Sequence, residues 1–171
     1  GKKEKSVIDA NVMLLEAGHK WAQANIDFSF YIPATPADKP QISINGNTSL
    51  ALGVMASGMD ICAMYPITPA TSASHYLSEA FEKVGGIVHQ AEDEIASIGV
   101  VVGAGWNGAR AFTATSGPGV SLMTEFIGLS YFAEIPAVIF DVQRGGPSTG
   151  MPTRTQQADL LAAAYAGHGD T

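Results

Sequence analysis

Apolar and polar positions divide the chain into two unequal parts. Near the start, Val7, Leu14, Leu15, Trp21 and Ile26 recur roughly at helical spacing. This predicts one amphipathic helix over 6–26, with Ser6 capping its start and Asp9 three residues on. Pro33, Pro36 and Pro40, then Asn45, Gly46 and Asn47, punctuate the next stretch too heavily for regular structure, which predicts a linker over 27–44. Beyond it, short apolar runs alternate with helical patterns. Strands are predicted over 61–65, 87–90, 110–114 and 137–142, and helices over 47–57, 71–83, 92–106, 122–132 and 156–165, with Gly58 and Gly85 closing the first two of these helices. Such repeated strand–helix order predicts an α/β fold, a doubly wound and mainly parallel sheet with helices on its faces. Four strands fall short of the ~5 to 6 of a typical sheet, and the last helix runs into a small polar loop at 166–171, so the pattern reads as truncated and the natural protein is expected to continue.

Composition narrows the classes. With 171 residues, 46% apolar and 15% charged, the chain has material for one packed domain of ordinary size, or one with part of another attached, and lacks the polar excess of disorder. Its longest nearly unbroken apolar or small stretch, 95–106, is far short of the ~20 residues of a membrane-spanning helix. The single cysteine, Cys62, excludes an intramolecular disulfide framework and a cysteine array able to hold an iron–sulfur cluster within this chain. The polar, basic start is not followed by an apolar signal core, so a cytoplasmic setting is expected. Charge is uneven: residues 1–44 carry five basic and five acidic side chains, and residues 45–171 carry four basic against eleven acidic, so the net charge of −7 belongs to the second part. An acidic surface with few cations repels phosphate backbones and argues against nucleic-acid binding.

In an open parallel sheet, ligands sit outside the carboxyl ends of the strands, which directs attention to the loops at 65–71, 90–94, 115–119 and 143–150. Glu92, Asp93 and Glu94 precede an apolar, glycine-rich helix. Their charge suits the positive end of its dipole, and capping alone would account for Glu92 and Asp93. Glu94 falls in the first turn of a helix that reads as buried on most sides. A buried carboxyl needs a partner, and one so placed is able to share or donate a proton. Arg144 follows an apolar strand and precedes a glycine-rich loop, so its fork is placed to pair with a carboxylate, either of the protein or of a substrate. The turn at 115–119 has amides able to cradle a phosphate, but its composition is common in turns and it carries no lysine. His89, at a strand end, reads as a satisfied core histidine, while His75 and His168 read as surface positions. Met55, Met59 and Met64 read as packing residues.

One motif points elsewhere. Gly103, Gly105 and Gly108 match GxGxxG after three valines, with Glu125 about twenty residues on, as a pyridine-nucleotide-binding module requires. That fingerprint must open a helix, whereas the residues after it read as a strand. The glycines fit better as small residues that let a helix pack closely.

Four segments in order then carry a resemblance: YPITPAT at 65–71, the Glu94 segment, GARAFTATSGPGVSLMTEFIGLS at 108–130 and DVQRGGPSTGMPTRTQQADL at 141–160. Together they resemble the α subunit of 2-oxoacid:ferredoxin oxidoreductases, especially the 2-oxoglutarate type, over about residues 45–171. The helix over 1–26, which the residues alone leave as either a docking helix or the tail of a preceding domain, resembles the end of the γ-type domain in fused α subunits. The resemblance implies a pyrimidine-binding domain of a thiamine-diphosphate enzyme over 45–171. It implies that Glu94 hydrogen-bonds the aminopyrimidine ring of that cofactor and that Thr68 and Arg144 contact the substrate carboxylate. It further implies oxidative decarboxylation of a 2-oxoacid to an acyl-CoA, with ferredoxin as electron acceptor, and a β subunit holding the diphosphate, its Mg²⁺ and at least one iron–sulfur cluster. A non-catalytic interaction subunit of the same fold is the rival reading, and docking alone has no need for Glu94, Thr68 and Arg144 together.

Overall fold

The computed structural model describes residues 4–28, 30–34, 36–152, 154 and 156–169. Residues 1–3 of the basic start, Thr153 and Thr155 of the fourth motif, and Asp170 and Thr171 of the terminal loop lie outside the described residues. The chain forms two compact units, residues 1–42 and 43–171. In the first, α1 (Lys5–Asn25) is followed, among the described residues, by a stretch without helix or strand. Ser6 lies inside α1 instead of capping it, because the helix begins one residue earlier and Glu4 takes the cap position without a side-chain bond.

The second unit is built on four parallel strands, β1 (Ile61–Met64), β2 (Ile87–Gln90), β3 (Ala111–Thr115) and β4 (Val138–Asp141), in the order β2-β1-β3-β4. The helices are α2 (Gly46–Ser57), α3 (Thr71–Ala80), α4 (Glu94–Trp106), α5 (Gly117–Phe132) and α6 (Leu160–Ala164). The period of two along each strand decides which helices cover which face. In β1, Cys62 and Met64 join α2, α3 and Phe112 of β3 in one core, while Ala63 faces Ile98, Val101 and Val102 of α4 and Met123 of α5 in the other. Phe112 sits edge-on to Phe81 and Phe140, with ring centroids 6.0 and 5.7 Å apart. Fully buried side chains of this kind stabilise the fold by ~1.5–3 kcal/mol each.

Local signals set the element ends. Asn45 caps α2 by accepting from the Thr48 amide at 2.8 Å, and Gly58 ends it at φ 71°. The helix predicted over 71–83 is α-helical only to Ala80, and Phe81–Val84 tighten into a 3-10 turn. At the amino edge of the sheet Asp60 and Arg110 are tied reciprocally: each backbone amide donates to the other residue, at 2.8 Å in both cases. The Arg110 guanidinium also reaches the Ser57 carbonyl at 3.3 Å.

Two of the expected helix bounds need correction, and so does the reading of His89. The helix expected over 122–132 starts at Gly117, since Pro118 sits in its first turn, where a missing amide proton costs nothing. The segment 115–119 is therefore a strand end running into a helix and not a free turn. The helix expected over 156–165 shrinks to Leu160–Ala164, because Asp159 just before it is engaged with Arg144 and Gln143. The GxGxxG motif lies at the far end of α4, with Gly103 and Gly105 inside the helix and Gly108 leaving it at φ 85° towards β3. It opens no helix, so it lacks the amide cradle of a dinucleotide site. Gly105 instead lets Ile135 and Pro136 approach: a Cβ there would lie 3.0 Å from both. His89 is exposed and is not a core histidine.

Candidate functional site

Because the strands are parallel, the loops after β1, β2, β3 and β4 all leave the same edge, and Thr68, Glu92, Asp93, Glu94 and Arg144 are found there. The β2 loop is brief. Ala91 extends the ladder by donating to the Met64 carbonyl at 2.9 Å, and Asp93 then caps α4 by accepting from the Ala96 amide at 2.7 Å. Glu92 is exposed. The three consecutive carboxylates thus divide into a solvated one, a cap, and Glu94, which begins α4 at 7% exposure. Among the described residues none forms a hydrogen bond with the Glu94 carboxylate.

Opposite Glu94 lies the start of α5. A Cβ on Gly119 would lie 3.0 Å from Glu94 Cγ and would collide with Thr115 Oγ1. Glycine is required here so that the backbone of α5 is able to approach the glutamate directly. The adjoining hydroxyls of Thr115 and Ser116 are buried without partners, and so is that of Thr113. A Cβ on Gly117 would meet the Asp159 carboxylate, so the amino terminus of α5 already faces a carboxylate of this chain. A phosphate at 115–119 would have to displace it.

Arg144 and Thr68 meet. Arg144 follows β4 and is 6% exposed. Its Nη1 donates to the Thr68 carbonyl at 3.0 Å and its Nη2 to Ser148 Oγ at 3.0 Å, while Nε is buried without a partner. The Arg144 backbone amide donates to Asp159 Oδ2 at 3.2 Å. The guanidinium thus has neutral acceptors, and the salt bridge found among the described residues lies elsewhere, between Arg110 and Asp60. A structural ion pair does not account for Arg144. A buried cation without an anion is costly unless a ligand supplies one. Thr68 itself is exposed at the loop surface.

The site also holds residues that sequence reasoning passed over. Asp141 stands opposite Thr115 in the β3–β4 register, on the same face. Burial, with a smaller push from Asp159, raises its pKa to about 6. Strand alternation would have paired Asp141 with Thr115, but nothing in the spacing of Ser148 or Asp159 marks them as partners of Arg144.

With this geometry in view, the chain was compared with known proteins. Residues 52–170 match the family model described as pyruvate flavodoxin/ferredoxin oxidoreductase, thiamine diphosphate-binding. The chain is 42% identical over 173 residues to the 2-oxoglutarate oxidoreductase subunit KorA of Mycobacterium tuberculosis, a match that covers 96% of this chain and 26% of that protein. It is 49% identical over 127 residues to the 2-oxoglutarate synthase subunit KorA of Methanocaldococcus jannaschii, covering 74% of this chain and 35% of that one. Among solved structures it is similar to the 2-oxoglutarate:ferredoxin oxidoreductase from Magnetococcus marinus with 2-oxoglutarate, coenzyme A and succinyl-CoA bound, at 43% identity and a TM-score of 0.81, over 99% of this chain and 30% of that one. The chain therefore spans about a quarter to a third of the length of these relatives. The matched segment takes in β1 to β4 and the whole carboxyl edge, and on that ground the chain belongs to the thiamine-diphosphate-binding family of pyruvate flavodoxin/ferredoxin oxidoreductases.

Proposed function

We propose that this chain is part of the α subunit of a 2-oxoacid:ferredoxin oxidoreductase acting on 2-oxoglutarate or a related 2-oxoacid, with Glu94 serving the cofactor and Thr68 and Arg144 serving the substrate carboxylate. The observation that carries the reading is the Arg144 guanidinium, buried, bonded among the described residues to neutral acceptors, and set on the same sheet edge as Glu94, a mostly buried residue whose carboxylate no described residue hydrogen-bonds. One group there suits an anionic substrate. The other suits a hydrogen-bonding ring.

The residues present fit thiamine diphosphate. Glu94 is a mostly buried residue whose carboxylate no described residue hydrogen-bonds, and glycine at 119 lets the backbone of α5 and Thr115 pack against its Cγ. When bound, thiamine diphosphate supplies the nucleophilic carbon and the electron sink that a 2-oxoacid needs to lose carbon dioxide. The protein's tasks follow from its own atoms. Glu94 would present its carboxyl to a ring nitrogen of the cofactor, as a positioned hydrogen-bonding group. Arg144 holds the carboxylate of the substrate, and its planar fork sets the direction in which the 2-oxo carbon is presented. Thr68 orients Arg144 through its carbonyl.

No cluster of three or more His, Cys, Asp or Glu able to hold a metal exists among the described residues, and the one cysteine of the sequence is buried. From the family resemblance we assign the Mg²⁺, the diphosphate and the iron–sulfur cluster to a partner β subunit, with ferredoxin and coenzyme A meeting the assembled enzyme. No helix among the described residues is long and apolar enough to cross a membrane.

The test is Glu94→Gln in the full-length subunit assembled with its partner. Removing the ionisable carboxyl should lower 2-oxoglutarate-dependent dye reduction by roughly 10²–10⁴-fold. Near-normal turnover would refute the assignment.

A further inference from the structure

Arg144 raises a geometric question that its charge alone does not answer. A guanidinium held by one hydrogen bond pivots about that bond, and its fork then presents no fixed plane to a ligand. Two bonds from different nitrogens remove that freedom. Here Nη1 is fixed by the Thr68 carbonyl and Nη2 by Ser148 Oγ, each at 3.0 Å.

The two acceptors differ in kind. The Thr68 acceptor is backbone. The Ser148 acceptor is a side chain on the short turn Ser148–Gly150, which follows Pro147 and is closed by Gly150 N donating to the Pro147 carbonyl and Met151 N to the Ser148 carbonyl, both at 2.9 Å. Those bonds hold the backbone that carries the exposed Ser148 side chain. Being neutral, it restrains the guanidinium without cancelling its charge, as a carboxylate in that place would do.

We propose that Ser148 is a positioning residue for the 2-oxoacid carboxylate: by accepting from Nη2 while Thr68 accepts from Nη1, it fixes the plane in which Arg144 meets the substrate. This rests on the reading of Arg144 as the carboxylate-binding residue. Ser148 acts through Arg144, so its loss should weaken substrate binding and leave the chemical step intact.

The experiment uses the full-length subunit assembled with its partner. Ser148→Ala should raise the KM for 2-oxoglutarate about three- to tenfold, the scale of one lost hydrogen bond to a charged group partly replaced by water. It should leave kcat within about twofold and the KM for coenzyme A unchanged. Ser148→Thr keeps the hydroxyl and should restore the KM. A wild-type KM in Ser148→Ala, a rise that Ser148→Thr fails to relieve, or equal losses towards both substrates would overturn the proposal. Arg144→Ala separates this from the parent reading. If that variant also keeps its KM, the assignment of Arg144 itself falls. If its KM rises while that of Ser148→Ala does not, only the role of Ser148 falls.

Discussion

Arg144 Nη1 donates to the carbonyl oxygen of Thr68 at 3.0 Å, joining residues 76 positions apart. Their strands, β1 and β4, flank β3, so the bond ties together the loops on either side of the β3 end, where α5 begins. The loop carrying YPIT and the loop carrying QRGGPST are thereby one structure, and a change in either moves the charge they share.

The close approach of α5 to Glu94 predicts opposite outcomes for two glycines. Gly119→Ala places a methyl group against Oγ1 of the buried, β-branched Thr115, which has no room to turn away, and 3.0 Å from Glu94 Cγ, and should destabilise the chain by about 1–3 kcal/mol. Gly103 meets nothing within 4 Å and sits in α4 on the exposed side, so Gly103→Ala should stabilise by roughly 0.5–1 kcal/mol. Urea unfolding midpoints should move in opposite directions. A shift of the same sign would contradict the packing described.

Asp141 predicts a pH effect. Its folded pKa, raised to about 6 from 3.8 by burial and then by Asp159, makes its contribution to stability full at low pH and lost as pH rises through about 6. Asp141→Asn removes that dependence. Thermal midpoints should show the variant ahead of the parent near pH 7.5, with the lead shrinking as pH falls towards about 5. A lead that is constant across this range, or one that grows on acidification, would remove Asp141 from the list of buried acids.

Cys62 is fully buried in β1, and burial pushes its thiol up to about 12. Little thiolate exists near pH 8, and an alkylating reagent has no path to it. Iodoacetamide should leave the folded chain unmodified and label it only in denaturant. Rapid labelling of the native chain would mean that the core around β1 opens easily.

The order of strands and helices was legible because each half of the α/β repeat has its own period, and Glu94 was legible because a carboxylate stood where an apolar helix had to begin. The start of α5 was less so. Gly117, Pro118 and Gly119 have the composition of a turn, and only the strand behind them and the helix ahead make them a first helical turn. The partners of Arg144 were not legible at all. A backbone carbonyl 76 residues away carries no side-chain signature, and Ser148 looks like any serine in a glycine-rich loop. The GxGxxG string could be set aside from sequence for the complementary reason: its spacing was correct, but the strand pattern after it left no helix for it to open, and it lies at the end of α4.

The reciprocal tie between Asp60 and Arg110 closes the rim of the sheet that faces away from Glu94 and Arg144. Beside it, the α4–β3 connection turns through Asn107 and Gly108, both exposed. That corner lies away from the rim proposed to meet ligands, which makes it a point for splicing in a fluorescent reporter or an affinity peptide without disturbing the opposite rim.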